Sequence, residues 1–113
     1  MIARGQIYWC TLDPVQGHEQ GSVRPVVVVS ADAYNKTQSP LVAVVPLTKV
    51  PPKTPLHLSF AAAETGLDLP STVLVDHARF VDRSRLRGEA AGHLNAEALS
   101  RLDRQLRRVL SLG

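Results

Sequence analysis

Apolar residues along this chain come mostly in short runs broken by proline, glycine and charge, and fall at helical spacing only near its end. Residues 7–12, Ile-Tyr-Trp-Cys-Thr-Leu, are aromatic and β-branched, and Asp13-Pro14 closes them with a turn signal. Residues 25–30 contain four consecutive valines and residues 41–47 read LVAVVPL; continuous runs of this length suit strands buried on both faces. Pro46 has no N–H to give to a ladder, which predicts a place near a strand end or on an edge. Residues 56–59 alternate, and residues 72–75 form a further apolar run that meets a charge at Asp76, the mark of a strand end. Residues 78–81 and 86–89 are shorter candidates. Leu99, Leu102, Leu106, Val109 and Leu110 then share one helical face, with Arg101, Arg104 and Arg108 on another. Asn95 is placed to cap this helix and Leu94 to staple against Leu99. Glu97 with Arg101 and Asp103 with Arg107 are expected as i,i+4 pairs, each stabilising by about 0.2–0.5 kcal/mol. Seven short strands and one long helix predict a mainly β fold with α, a strongly curved sheet or partly open barrel capped by the helix.

Length changes this picture little: 113 residues suit one domain, 1–113, with a single core. No segment approaches the roughly eighteen continuous apolar residues of a membrane span, and no secretory signal precedes the first strand, so a cytoplasmic protein is expected. Cys10 is the only cysteine, which excludes an intrachain disulfide or a cysteine metal cage and leaves it as a small apolar filler. Thirteen Lys+Arg against ten Asp+Glu give +3, a charge that permits a nucleic-acid partner without demonstrating one. Arg79, Arg83, Arg85 and Arg87, and Arg101, Arg104, Arg107 and Arg108, read first as solvated faces. Pro51-Pro52-Lys53-Thr54-Pro55 reads as a stiff exposed loop.

Zinc-ligand spacings, a nucleophile elbow and a phosphate-binding glycine loop are absent from the sequence, so no metal ligand or cofactor is expected. What remains is residues 16–25, Gln-Gly-His-Glu-Gln-Gly-Ser-Val-Arg-Pro, a glycine-punctuated polar loop that delivers Arg24 to the mouth of the valine strand. Pro25 biases Arg24 to an extended backbone, and a guanidinium there suits a phosphate. A surface pair with Glu19 is the other reading of Arg24. Thr48, read alone, is a strand-end residue. His18 suits a solvated loop or acid–base work, and His57 and His93 belong to no motif. Tyr8 and Trp9 read as buried aromatics of the first strand, with base stacking as the alternative.

In order and spacing, the chain resembles the MazF/PemK toxins of bacterial toxin–antitoxin systems. Arg4-Gly5-Gln6-Ile7-Tyr8-Trp9 resembles their opening strand, Leu12-Asp13-Pro14 the turn, and Gly17-His18-Glu19-Gln20 through Arg24-Pro25 the signature loop. Val26-Val27-Val28-Val29-Ser30, Val44-Val45-Pro46-Leu47-Thr48 and Thr72-Val73-Leu74-Val75-Asp76 resemble later strands, and Leu94-Asn95-Ala96-Glu97 the start of the terminal helix. The resemblance implies an SH3-like small β-barrel (CcdB/PemK-like) with a C-terminal amphipathic helix, usually as a homodimer. It implies a sequence-specific, metal-independent endoribonuclease toxin that cleaves single-stranded RNA, mRNA included, and is neutralised by a cognate MazE-like antitoxin.

The family's catalytic arginine and threonine fall on Arg24 and Thr48, and Glu19 is the candidate to orient Arg24 or accept the 2′-OH proton. His18, Gln20, Ser22, Lys49, Asp76 and His77 are the candidate RNA contacts. Lys49 stands where many members carry serine, and His77 where many carry glutamine. Two alternatives stay open: a CcdB-like protein that binds DNA gyrase without catalysis, and a non-toxic nucleic-acid-binding module.

Overall fold

The valine-rich runs form the centre of an antiparallel sheet. The computed structural model describes residues 1–12 and 23–113. Its strands are β1 (Gln6–Thr11), β2 (Val23–Val28), β3 (Leu41–Thr48), β4 (Leu58–Phe60), β5 (Ser71–Val73), β6 (Arg79–Asp82) and β7 (Leu86–His93). They lie in the order β4-β5-β3-β2-β1-β7, with β6 also pairing β3. No pairing joins β4 to β7 among the described residues, so the curved sheet stays open. The expected mainly β fold with a terminal helix is therefore present as a partly open form of the barrel.

Both faces of the central strands are buried, which is why their sequences lack polar alternation. Side chains project alternately. Ile7, Val27, Val45 and Leu47 enter one cluster with Phe60, Val73, Leu94 and Leu102. Tyr8, Cys10, Val26, Val28, Val42 and Val44 enter a second with Val81. Pro46 lies two residues before the end of β3, near a strand end as expected, although β3 is not an edge strand of the sheet. It pairs with Val26 at the point where the outer partner of β3 changes from β6, whose first residue Arg79 lies opposite Val44, to β5, whose last residue Val73 lies opposite Leu47. Its carbonyl accepts from the Leu74 N–H at 2.9 Å, so its missing N–H also faces that outer side and costs no bond to β2.

The terminal helix α3 (Ala96–Leu110) starts where its signals place it, the Asn95 Oδ1 accepting the Ala98 N–H at 2.8 Å. It buries Ala98, Leu102 and Gln105 on the first cluster, with Leu99 and Leu106 packed beside them. Val109 and Leu110 are exposed. The expected pairs along the helix are replaced by tertiary ones: Asp103 takes a bidentate contact from Arg4, and Arg101 lies 3.6 Å from Glu64. Two one-turn helices, α1 (Asp32–Asn35) and α2 (Ala62–Thr65), were not anticipated, since four residues carry no period. The arginines of the second half are not all solvated. Arg79 and Arg85 both donate to the Leu12 carbonyl, and Arg83 Nε donates to that of Ser39 at 2.7 Å. Among the described residues, no helix is long and apolar enough to cross a membrane.

Candidate active site

Two strand ends meet at one groove. Arg24 stands near the start of β2, paired with Cys10 of β1, and Thr48 ends β3, paired with Thr72 of β5. Twenty-four positions apart, both line a groove of about 580 Å³ together with Trp9, Pro25 and Lys49. The Thr48 Oγ1 accepts the Val50 N–H at 3.3 Å, a local turn that fixes the oxygen while its own proton remains a donor. Arg24 and Lys49 are both exposed residues.

The opposite wall is the segment after α2, comprising Gly66, Leu67, Asp68 and Leu69, with Ser71 and Ala91. Gly66 ends α2 in the left-handed conformation at φ 77°, as a helix-terminating glycine does. Gly92 lets β7 approach so closely that a Cβ there would collide with the Thr65 carbonyl oxygen. This contact seats the wall on the sheet. The Ala61 N–H donates to the Glu64 Oε1 at 2.9 Å, and the Asn95 N–H to the Glu64 carbonyl at 3.0 Å, which ties the same turn to the start of α3.

Trp9 is the groove residue that sequence reasoning undervalued. It is 45% exposed, not buried, and pairs with Pro25 on one side and Arg87 on the other. Its parity matches that of Ile7, but Ile7 lies in the cluster that α3 covers and Trp9 does not. An exposed indole beside cations is a stacking surface for a base.

The predicted site residues divide into three groups. Arg24, Thr48 and Lys49 come together in the groove. Glu19, His18, Gln20 and Ser22 lie outside the described residues. Asp76 and His77 stand beyond the end of β5, on a one-turn 3-10 helix (Val75–His77), and meet His57 instead. There the His57 Nε2 lies 2.8 Å from the Asp76 Oδ1, and this hydrogen bond chiefly holds the Asp76 carboxyl below the ordinary carboxylate range. No sequence motif links His57 to Asp76; only the pairing of β4 with β5 brings them together.

Cys10 is fully buried in the second cluster, and burial pushes its thiol up against the opposing pull of Arg79 and Arg85. That excludes it as a nucleophile at neutral pH.

An antiparallel sheet under a terminal helix, with an arginine and a threonine at adjoining strand ends, suits a protein that handles phosphate. Residues 3–110 match the family of PemK-like, MazF-like toxins of type II toxin–antitoxin systems, and the chain belongs to that family. It is 33% identical to Endoribonuclease EndoA of Bacillus subtilis over 99% of this chain and 97% of that one. A crystal structure of MazE–MazF from Deinococcus radiodurans superposes with a TM-score of 0.82 at 32% identity, covering 99% of this chain and 97% of the other. An endoribonuclease from Mycobacterial species, solved in complex with its cognate antitoxin, shares the fold at 23% identity, with a TM-score of 0.79 over 100% of this chain and 98% of the other.

Proposed function

We propose that this chain is a cytoplasmic endoribonuclease toxin that cleaves single-stranded RNA in the groove between Trp9, Arg24 and Thr48 and is held inactive by a MazE-like antitoxin. The observation that carries the reading is the convergence of Arg24 and Thr48, from separate strands, on one groove that an exposed tryptophan also lines. The named activity of the Bacillus relative supports cleavage of RNA over the gyrase-binding alternative. In the reaction the substrate's 2′-oxygen loses its proton and bonds to the adjacent phosphorus, the bond from phosphorus to the 5′-oxygen breaks, and that oxygen takes up a proton. The nucleophile belongs to the RNA, so no water needs activation. Products are a 2′,3′-cyclic phosphate and a 5′-hydroxyl.

Arg24 stabilises the phosphorane oxygens with its planar fork, and the Thr48 hydroxyl donates to a non-bridging oxygen. Lys49 adds a phosphate contact and Trp9 a stacking face. Glu19 is assigned to orient Arg24 or to accept the 2′-OH proton. The test is single-turnover cleavage of one defined RNA by wild type, Arg24→Ala and Thr48→Ala, with circular dichroism of each. Both variants should stay folded and lose cleavage, and a 2′-deoxy substitution at the scissile nucleotide should abolish it. Near-native cleavage by folded Arg24→Ala, or cutting of the deoxy strand, overturns the assignment.

A further inference from the structure

We propose that His57, Asp76 and His77 form a surface site for a borderline transition-metal cation of the Zn²⁺ class, separate from the RNA groove. One ligating atom from each residue lies within 4.8 Å of the other two. The Asp76 Oδ1 is 2.8 Å from the His57 Nε2 and 3.8 Å from the His77 Nε2. Ligands about 2.0–2.2 Å from a tetrahedral ion stand roughly 3.3–3.5 Å from one another, so these spacings bracket what the ion requires. Two imidazoles and one carboxylate suit Zn²⁺ and its neighbours, whereas Mg²⁺ and Ca²⁺ prefer all-oxygen sets.

The three residues are held by different parts of the fold. His57 precedes β4, and its side chain is only 12% exposed. The buried Gln105 of α3 donates its Nε2 to the Pro55 carbonyl at 3.1 Å and to the Leu56 carbonyl at 3.3 Å, which pins the approach to His57. Asp76 and His77 share the 3-10 turn, and the Leu74 N–H bonded to Pro46 anchors the chain entering that turn. His77, 56% exposed, has the freedom to close the remaining distance by a rotamer change. The solvent side is left for water or an exogenous ligand, an open arrangement of three protein ligands. A bound ion would tie the loop before β4 to the turn after β5.

The test is calorimetric titration of tag-free, full-length protein with ZnCl₂, with MgCl₂ as the contrasting ion and thermal melts alongside. One equivalent of Zn²⁺ should bind and raise the melting temperature, while Mg²⁺ does neither. His57→Ala, Asp76→Asn and His77→Ala should each weaken binding by roughly tenfold or more, and His93→Ala should leave it unchanged. His77→Ala removes an exposed side chain, so it keeps the test meaningful should His57→Ala unfold. Absence of Zn²⁺ binding to wild type, or binding by folded His77→Ala as tight as wild type, overturns the proposal. The readout is binding, so its failure is distinct from any failure of the ribonuclease assignment.

Discussion

At the residue scale the groove sets a clear order of costs. Arg24 and Thr48 lie at strand ends, and Arg24 is exposed, so truncation removes little packing, and such surface changes usually shift stability by about 0.5 kcal/mol. Their loss from the chemistry should be much larger, on the order of 10²–10³ in rate for a positioned donor to developing charge. Arg24→Ala should cost more than Thr48→Ala, because a guanidinium brings full charge as well as donors. Arg24→Lys should recover only part of the activity, since it keeps the charge and loses the fork; single-turnover rates for the three variants check this ranking, and full recovery by lysine would remove the fork from the argument. Asp82 offers a second check away from the groove. Its carboxylate accepts the Ser84 N–H at 2.8 Å, and that bond, then the Ser84 hydroxyl and the Arg85 charge, holds its carboxyl below the ordinary range. A depressed folded value stabilises the fold above the unfolded pKa of about 3.9, and that contribution fades as pH falls through the folded value. An NMR titration should therefore place Asp82 below the free carboxylate, and Asp82→Asn should flatten the acid limb of the stability curve. A normal Asp82 titration would contradict the bond.

At the scale of elements the site depends on how closely α2 sits on β7. Gly92 is the point of contact, and an alanine there meets the Thr65 backbone, which has no side-chain freedom with which to yield. Gly92→Ala should destabilise by about 1–3 kcal/mol and shift the Gly66–Leu69 wall, lowering kcat/KM for RNA. Gly88→Ala is the companion variant: Gly88 has φ 66° and no atom within 4 Å of an added Cβ. It should cost stability through backbone strain alone and leave cleavage of the folded protein unchanged. Equal cleavage by the two variants would detach the wall from substrate binding. The same elements show what was legible in the sequence. The valine strands declare themselves as continuous apolar runs, the Leu102 face as a period of 3.6 over a long enough stretch, and the Asn95 cap as a local start signal beside it. The continuation of β7 to His93 does not, because residues 88–93, Gly-Glu-Ala-Ala-Gly-His, carry no apolar alternation and are held by pairing to β1 across a bulge. Arg24 and Thr48 were legible through resemblance to a family, since their meeting is a tertiary event. Trp9 was misjudged because strand parity predicts its face but not how far α3 reaches along it. His57 was invisible because only the pairing of β4 with β5 brings it to Asp76, nineteen residues away along the chain. The tertiary pairs of Asp103 and Arg101 displaced the expected helical ones because partners on other elements, Arg4 and Glu64, stand within reach.

For the whole molecule, the remaining feature is an apolar surface whose lining shares no residue with the groove. Phe80 is 58% exposed and Leu112 67%, and with Leu106, Leu110, Val29 and Ala43 they line a depression of about 540 Å³ that also includes Arg4, Asp103, Arg79 and Arg107. A chain of 12.3 kDa has a high ratio of surface to volume, so leaving large side chains in water is costly where a second copy is able to cover them. An apolar centre bordered by charge is the composition of a subunit interface, and two copies related by a two-fold axis would each present the same patch. Homodimerisation through this face is therefore expected. Light scattering at tens of micromolar should report about twice the chain mass, and the melting temperature should rise with protein concentration, as association linked to folding requires. Phe80→Asp with Leu110→Ser should shift the protein to monomer and remove the concentration dependence, with Trp9, Arg24 and Thr48 left in place. A wild-type mass equal to one chain at these concentrations, or a double variant that remains dimeric, would place the subunit contact elsewhere or remove it. Comparing cleavage by that monomer with wild type then separates a groove complete within one chain from one that requires its partner: full activity would assign the whole site to residues of a single copy.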